Sequence, residues 1–327
     1  MRAILITGGA GYIGAHAAWA ALDAGRRVVV LDDLSTGFRE AVPPAAAFRR
    51  GDCADVEATA ALLHEHAVEA VMHFAGRTVA PESVARPLDY YAANVGGAVA
   101  VARACLAAGV ERLVFSSTAA VYGDAAVRAD EATPPAPVSP YGRSKLMAEQ
   151  ALADAAAAHG LRVVALRYFN VAGADPAGRA GQSTAAATHL FKAACQAALG
   201  RRPALPVHGE DWPTRDGSGV RDYVHVTDLA AAHLLALDRL ERAPAGSFEV
   251  FNLGTERGCS VREVAAAVGE AAGRPVPLAP GPRRPGDMAE LLADAGLARR
   301  ELGWTPRFGL AETAAHALAW ERRLPAR

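Results

Sequence analysis

The chain has 327 residues, 51% of them hydrophobic and 21% charged, with a formal net charge of −1. That length predicts roughly two domains around a large core and excludes a disordered chain. The near-neutral balance offers no field to gather nucleic acid or an acidic membrane, so small anions must be held by local groups.

Ala3 to Thr7 reads as a buried strand, followed by the glycine run Gly8-Gly9-Ala10-Gly11-Tyr12-Ile13-Gly14 and an alanine-rich helix. No charged segment stands ahead of a cleavable apolar one, so no leader is expected. Arg27 to Leu31 is the second strand and ends at Asp32; a third ends near Gly51-Asp52. Ala70 to Phe74, Arg112 to Ser117 and Arg162 to Arg167 are further strands, with helices in the gaps. Runs such as Val28-Val29-Val30-Leu31 lack polar alternation, as parallel strands covered on both faces do. The predicted fold is α/β, a doubly wound parallel sheet of the Rossmann kind.

From about Asn170 the alternation fails, and Gly209 to Gly219 and Pro275 to Gly286 are rich in glycine, proline and polar residues. The division expected is 1–169 for a dinucleotide-binding domain and 170–327 for a smaller, loop-rich substrate lobe. Segments around 221–255 return to the first domain, because Phe248 to Leu253 reads as another buried strand. Charges and glycines interrupt the alanine-rich stretches, so no run of ~20 strongly apolar residues is expected to span a membrane. Cys53, Cys105, Cys195 and Cys259 are scattered, which predicts reduced thiols, a cytoplasmic setting and no zinc site. His64-Glu65-His66 is read as a solvated helix surface, since positions two apart face different ways.

The glycine run follows a strand and precedes a helix. In that context Gly8 and Gly11 let the backbone turn toward a pyrophosphate, and Gly14 lets helix and strand pack closely. Asp32 stands about 20 residues on, the interval for an acid that binds an adenosine ribose, and its charge would repel a 2′-phosphate. Asp33 is read as a turn residue, and Asp52 as either an adenine contact or a helix cap. Tyr141 and Lys145 lie one helical turn apart, so the ammonium is expected to lower the phenol's pKa and reach a ribose; Thr118 would complete the hydrogen bonds. On their own, Arg221 beside Asp222 and Arg284 beside Asp287 would read as surface ion pairs.

These residues, with His73-Phe74-Ala75-Gly76, Glu82-Ser83-Val84, Tyr90 to Val95, Ser116 to Gly123, Leu166 to Asn170, Gly217 to Asp228 and Arg283 to Asp287, span nearly the whole chain. On them the chain resembles the extended short-chain dehydrogenase/reductases, the NAD-dependent epimerase/dehydratase family, and among these the UDP-hexose 4-epimerases. The resemblance implies an isomerase that inverts the sugar C4 of UDP-glucose and UDP-galactose through a 4-keto intermediate, with NAD kept bound and net redox zero. It implies Thr118, Tyr141 and Lys145 as catalytic residues. It further implies that Gly8, Gly11, Tyr12, Ile13, Gly14, Asp32, Asp33, Leu34, Ser35, Thr36, Asp52 and Cys53 line the NAD, together with Phe74, Ala75, Gly76, Asn94, Tyr141, Lys145 and Phe169. Thr118, Asn170, His189, Leu190, Val207, His208, Arg221, Tyr223, Val261, Arg284 and Asp287 would hold the UDP sugar, two arginines clamping the diphosphate. No metal, nucleic acid or membrane is implied, and a homodimer is.

Ala119 and Ala120 stand where sugar-nucleotide dehydratases of the superfamily carry acids, and alanine cannot protonate a leaving group. Three positions depart from the family pattern: Thr78 where a lysine often meets the cofactor, His208 where an aromatic faces the uracil, and Leu291 where some members carry a tyrosine. The smaller Leu291 predicts tolerance of N-acetylated sugars. Other readings are a 4-epimerase of UDP-xylose/UDP-arabinose or UDP-N-acetylhexosamine, a net dehydrogenase, and a non-catalytic NAD- or nucleotide-sensing protein.

Overall fold

The computed structural model describes residues 3–124, 127–184, 188–283 and 288–325. It begins with β1 (Ala3–Thr7), α1 (Tyr12–Asp23), β2 (Arg27–Asp32), β3 (Ala47–Arg50), α2 (Val56–Glu65) and β4 (Val68–His73). There follow α3 (Ala80–Ala85), α4 (Pro87–Tyr90), a π-helical turn (Tyr91–Gly96), α5 (Gly97–Ala108), β5 (Arg112–Ser116), β6 (Arg128–Ala129), α6 (Pro140–His159) and β7 (Arg162–Tyr168). The second half holds β8 (Asn170–Ala172), α7 (Leu190–Ala198), β9 (Leu205–His208), β10 (Val220–His225), α8 (Val226–Arg242) and β11 (Phe248–Leu253). It closes with β12 (Gly258–Ser260), α9 (Val261–Ala272), β13 (Leu278–Gly281), β14 (Glu290–Ala293), α10 (Gly296–Leu302) and α11 (Leu310–Arg323).

The main sheet has seven parallel strands in the order β11-β7-β5-β4-β1-β2-β3. Successive side chains of a strand point to opposite faces, and here both faces are apolar. Ile4, Ile6, Val28 and Val30 pack on one side beneath α1 and α8, through Ala17, Ala21, Leu229 and Leu237. Leu5, Val29, Leu31 and Phe115 pack on the other beneath α2, α5 and α6, through Leu62, Val101 and Leu152. Each such Leu, Ile, Val or Phe fully removed from water is worth ~1.5–3 kcal/mol, so the sheet is held between two helical layers. The strand order reverses direction at β1, whose neighbours are β2 and β4. Ligands of open α/β sheets bind at the carboxyl ends beside such a reversal.

A second sheet runs β12-β10-β14-β6, with β8 added beside β10, and β9 pairs with β13. Its third core gathers Phe191, Val264, Val268 and Leu318 from α7, α9 and α11. Val220–His225 therefore stands in the small sheet, while β11 pairs with β7 at the edge of the large one. Leu278–Gly281, inside a stretch expected to be loop, forms β13 against β9.

The helical stretch Pro87–Ala108 is long and apolar enough by length and composition to cross a membrane, which the sequence pattern did not suggest. Its C-terminal half packs between α2 and α6 and contributes Val101 and Cys105 to the core. His66 lies beside Glu65, which also pairs with Arg49 at 3.1 Å. Among the described residues no group of three His, Cys, Asp or Glu side chains is arranged to hold a metal ion.

Candidate active site

The glycine loop leaves β1 at the carboxyl end of the sheet. Gly8 has φ +70°, and a Cβ there would lie 2.6 Å from the Ala75 amide nitrogen, inside the loop that follows β4. A Cβ on Gly14 would lie 2.3 Å from the Gly8 carbonyl oxygen. Neither contact is possible for a real side chain, so only glycine lets this loop pack against the one after β4 and fold back on the start of its own helix. Gly11 caps α1 with no side-chain hydrogen bond, which leaves the first-turn amides and the positive end of the helix to serve an anion.

Asp32 ends β2 and is 7% exposed. Its Oδ2 accepts from the Ala10 amide at 2.9 Å and its Oδ1 from the Leu34 amide at 2.8 Å, so one carboxylate braces both loops of the cradle. Burial raises its pKa and these two amides oppose the rise. The neighbouring Asp33 accepts from the Ser35 amide and hydroxyl, which makes it the turn residue that the sequence suggested. Leu34 has a left-handed φ of +63°, and Ser35 and Thr36 lie exposed beyond it. The Gly51 amide donates to the Asp32 carbonyl at 3.1 Å, bringing Asp52 and half-buried Cys53 alongside. Asp52 accepts from the Ala54 amide at 2.9 Å, while the cap of α2 is Asp55. The helix-cap alternative for Asp52 is thereby excluded. A turning loop, an uncapped helix start and an acid at the end of the next strand fit a dinucleotide.

After β4 the chain passes Phe74, Ala75 and Gly76 across the mouth of this cradle. Phe74 packs on the His233 ring with centroids 4.5 Å apart. Asn94 is 1% exposed and projects from the π-helical turn, a distortion that often marks functional sites. Its Oδ1 accepts from the Arg77 amide at 2.8 Å, and its Nδ2 donates to the Arg77 carbonyl at 3.1 Å and to Ser144 Oγ at 2.9 Å.

Helix α6 brings Tyr141 and Lys145 to the end of β5. The Tyr141 amide donates to Ser83 Oγ at 3.1 Å, and Thr118 lies beside its phenol, favouring the ionised form. Thr118 Oγ1 also accepts from the Ala120 amide at 3.1 Å, which fixes its rotamer. Lys145 Nζ donates to the Ser116 carbonyl oxygen at 2.8 Å and lies 4.7 Å from the Phe115 ring centre. Burial lowers the ammonium to about 8, with Glu149 opposing. Burial also raises the Tyr141 phenol above its ordinary range, with Thr118 opposing. The lowered phenol expected from the Tyr141–Lys145 spacing is therefore not found: burial sets the direction, and the direct bond of Lys145 goes to Ser116.

The remaining predicted positions fall into three groups. Tyr12 Oη donates to the Gly173 carbonyl at 2.7 Å and its ring lies 6.1 Å from that of His189, joining the glycine loop to the start of α7; Ile13 packs on the adjoining core. His189 Nδ1 lies 3.0 Å from Gln182 Nε2, and Leu190 borders the third core. Asn170 pairs in register with Tyr223, whose ring meets Phe191 edge-on at 5.2 Å. Arg221 pairs in register with Cys259 and Leu291, and the Val261 amide donates to the Gly219 carbonyl at 3.2 Å. Val207 and His208 stand on β9, apart from that sheet, with His208 Nδ1 3.1 Å from the Pro282 carbonyl oxygen. Phe169 packs with Tyr122 and Leu291 in a small core between these parts. Arg284 and Asp287 lie outside the described residues.

Asp222 is wholly buried and accepts from the Thr255 amide at 2.7 Å and the Glu256 amide at 2.9 Å. The surface ion pair with Arg221 is excluded, because neighbours on a strand face opposite ways. Sequence reasoning gave no role to Ser117, Glu149, Arg167 or Tyr168. Glu149 could have been noticed from its place one turn beyond Lys145 on the same face.

A glycine cradle beside a sheet reversal, with a tyrosine, a lysine and a hydroxyl at its mouth, defines a nucleotide-dependent oxidoreductase-type site of the short-chain dehydrogenase kind. The NAD dependent epimerase/dehydratase family matches residues 4–254, and the chain belongs to that family. It is 53% identical to a UDP-glucose 4-epimerase of Azospirillum brasilense over 98% of this chain and 92% of that one. Among solved structures it is similar to the UDP-glucose 4-epimerase of Brucella ovis in complex with NAD (42% identity, TM-score 0.94, 98% of both chains). A third relative is the UDP-glucose 4-epimerase of Bifidobacterium longum in complex with NAD+ and UDP (35% identity, TM-score 0.92, 98% of both chains).

Proposed function

We propose that the chain is an NAD-dependent UDP-glucose 4-epimerase, interconverting UDP-glucose and UDP-galactose. The observation that carries this reading is the grouping of Thr118, Tyr141 and Lys145 at the mouth of the glycine cradle, with Ala119 and Ala120 following Thr118 and no acid there to expel a hydroxyl. The relatives over the full length carry the same activity in their names.

Bound NAD supplies the acceptor, and then the donor, of the C4 hydride. The chain supplies the proton chemistry. Tyr141 Oη takes the proton of the sugar O4 as the C4–H bond breaks, and returns it to O4 when that bond forms again on the other face. Thr118 Oγ1 shares its hydrogen bond between Oη and O4. Burial alone holds the Tyr141 proton on; the Lys145 ammonium and the positive charge of the oxidised nicotinamide, when bound, would oppose it and favour the phenolate. Arg221, with Asn170, Tyr223 and Val261, holds the nucleotide end, and Arg284 and Asp287 are assigned there from the sequence. A ketone gripped only by its diphosphate can turn over in the pocket, which is what inversion requires.

The test is a panel of UDP sugars with no cofactor added. UDP-glucose and UDP-galactose should reach one equilibrium from either side, with no net NADH. Stoichiometric NADH would overturn the reading for a dehydrogenase, and no conversion of any sugar would leave a binding protein.

The same proposal includes a homodimer. Val84, Leu88 and Met147 are 68%, 78% and 46% exposed on α3, α4 and α6, three helices that pack on one another. Light scattering at the mass of one chain would overturn it.

A further inference from the structure

Tyr141, Lys145 and Glu149 follow one another at four-residue steps on α6, so one face of the helix carries all three. Three consecutive residues at the end of β5 meet them. The Ser116 carbonyl accepts from Lys145 at 2.8 Å, the Ser117 hydroxyl donates to the Glu149 carboxylate, and Thr118 lies beside the Tyr141 phenol. Glu149 is 2% exposed. Arg167 on β7 holds it from the far side, with Nη2 2.6 Å from Oε2 and Nε 3.0 Å from Oε1. Arg167 Nη1 donates to Tyr122 Oη at 3.0 Å, and Tyr122 donates to Asn252 Oδ1 at 2.7 Å, so the clamp is anchored to β11.

We propose that Glu149 is a positioning residue: with Ser117 and Arg167 it sets the distance of Thr118 and Lys145 from the Tyr141 phenol. Packing alone gives no reason for it, because a buried ion pair adds little net stability over apolar side chains of the same volume. The strand end carries a hydroxyl and a carbonyl that must both reach α6, and a third bond between them removes the freedom to slide. Small misplacements of a reacting group cost rate steeply.

The carboxylate also acts through charge. It favours the ammonium of Lys145 against the burial that lowers it. The other titratable groups around that ammonium are Tyr141 on its own helix, His73 from β4, which burial and Lys145 hold neutral, and Tyr168 from β7, whose hydroxyl bonds Ser116.

The test rests on the epimerase reading only for its assay. The chain contains two lysines, Lys145 and Lys192, so holoenzyme labelled with 13C at lysine Cε gives two resonances, assigned with Lys192→Arg. In Glu149→Gln, kcat for UDP-glucose should fall about 10- to 100-fold with KM little changed, and Lys145 should titrate at lower pH than in the native chain. An unchanged kcat overturns the proposal, and so does a fall in kcat with the Lys145 titration unmoved, since that is what a merely structural role would give. Where Glu149→Gln does not fold, Ser117→Ala removes one hydroxyl only. A several-fold loss of kcat at constant KM then supports the clamp, and native kcat overturns it. A native chain that converts no UDP sugar sinks the epimerase reading, while the Lys145 titration, which needs no substrate, still decides the positioning role.

Discussion

Asn94 Nδ2 and Ser144 Oγ, 2.9 Å apart, fasten the π-helical turn to α6, and the same amide group closes on both backbone groups of Arg77. The loop that crosses the cofactor cradle is thus tied to the helix that carries Tyr141. Asn94→Ala leaves the Arg77 amide without its acceptor, at a cost of about 1–3 kcal/mol. Urea unfolding should show that loss, and gel filtration should strip NAD from the variant. Native NAD content after filtration would contradict the linkage.

Tyr141→Phe removes the proton acceptor and keeps the ring that packs edge-on against Tyr90 with centroids 6.4 Å apart. Fold and bound NAD should therefore survive. Turnover of UDP-galactose should drop ~10² to 10⁴-fold, the share general-base catalysis typically supplies. A kcat within threefold of native, about 0.7 kcal/mol in barrier, would remove Tyr141 from its role.

Asp32 is buried with both oxygens already receiving amides, so a 2′-phosphate beside it meets a fixed negative charge that cannot swing away. Calorimetry on stripped protein should find NADP binding at least ~10-fold weaker than NAD, a difference of about 1.4 kcal/mol. Asp32→Ser should narrow that ratio and weaken NAD, because the braces to Ala10 and Leu34 are lost. Equal affinity for the two cofactors in the native chain would refute the assignment.

Four buried histidines set the acid limit. Burial lowers His16 and His233 to about 4, and His73 and His225 to about 3, so the folded chain keeps them neutral where the unfolded chain would protonate them near pH 6.5. The unfolded state binds more protons in that window. Stability is therefore full above pH 6.5 and falls as pH drops toward 3 to 4. Between pH 7.5 and 5.5 each histidine should remove ~1 kcal/mol. The range lies above ordinary carboxylate titration, so guanidinium melts at those two values isolate the effect. Equal midpoints would show that these rings already titrate in the native fold.

The readable part of the chain was the part whose physics is local. Val28 to Leu31 announced a strand covered on both sides, and Val28 and Val30 indeed face one core while Val29 and Leu31 face the other. Gly8 and Gly14 were marked by what a side chain would strike. The unreadable part depends on partners far off in sequence. Glu149 is an ordinary helix residue until Ser117 and Arg167 are brought to it from two strands. Asp222 looked like the surface partner of Arg221, yet the pleat turns it inward to the amides of Thr255 and Glu256. The length of Pro87–Ala108 was hidden because Gly96 and Gly97 break the apolar pattern without breaking the helix.

We propose that Leu291 sets how much room the sugar has. It pairs in register with Arg221 across β10 and β14, and paired residues of neighbouring strands project to the same face. Its side chain therefore stands on the side of the sheet that presents the arginine assigned to the diphosphate. It is 8% exposed and packs with Phe169 and Tyr122, so its position is fixed by the small core. A tyrosine there would extend a ring and hydroxyl beyond the volume of leucine into whatever lies on that face. The native chain should accept UDP-N-acetylglucosamine as well as UDP-glucose, and Leu291→Tyr should lower kcat/KM for the N-acetylated sugar by about 10-fold or more while sparing UDP-glucose, the size of discrimination a few heavy atoms produce in a pocket. Good turnover of UDP-glucose by the native chain with none of UDP-N-acetylglucosamine would mean that another residue closes the pocket.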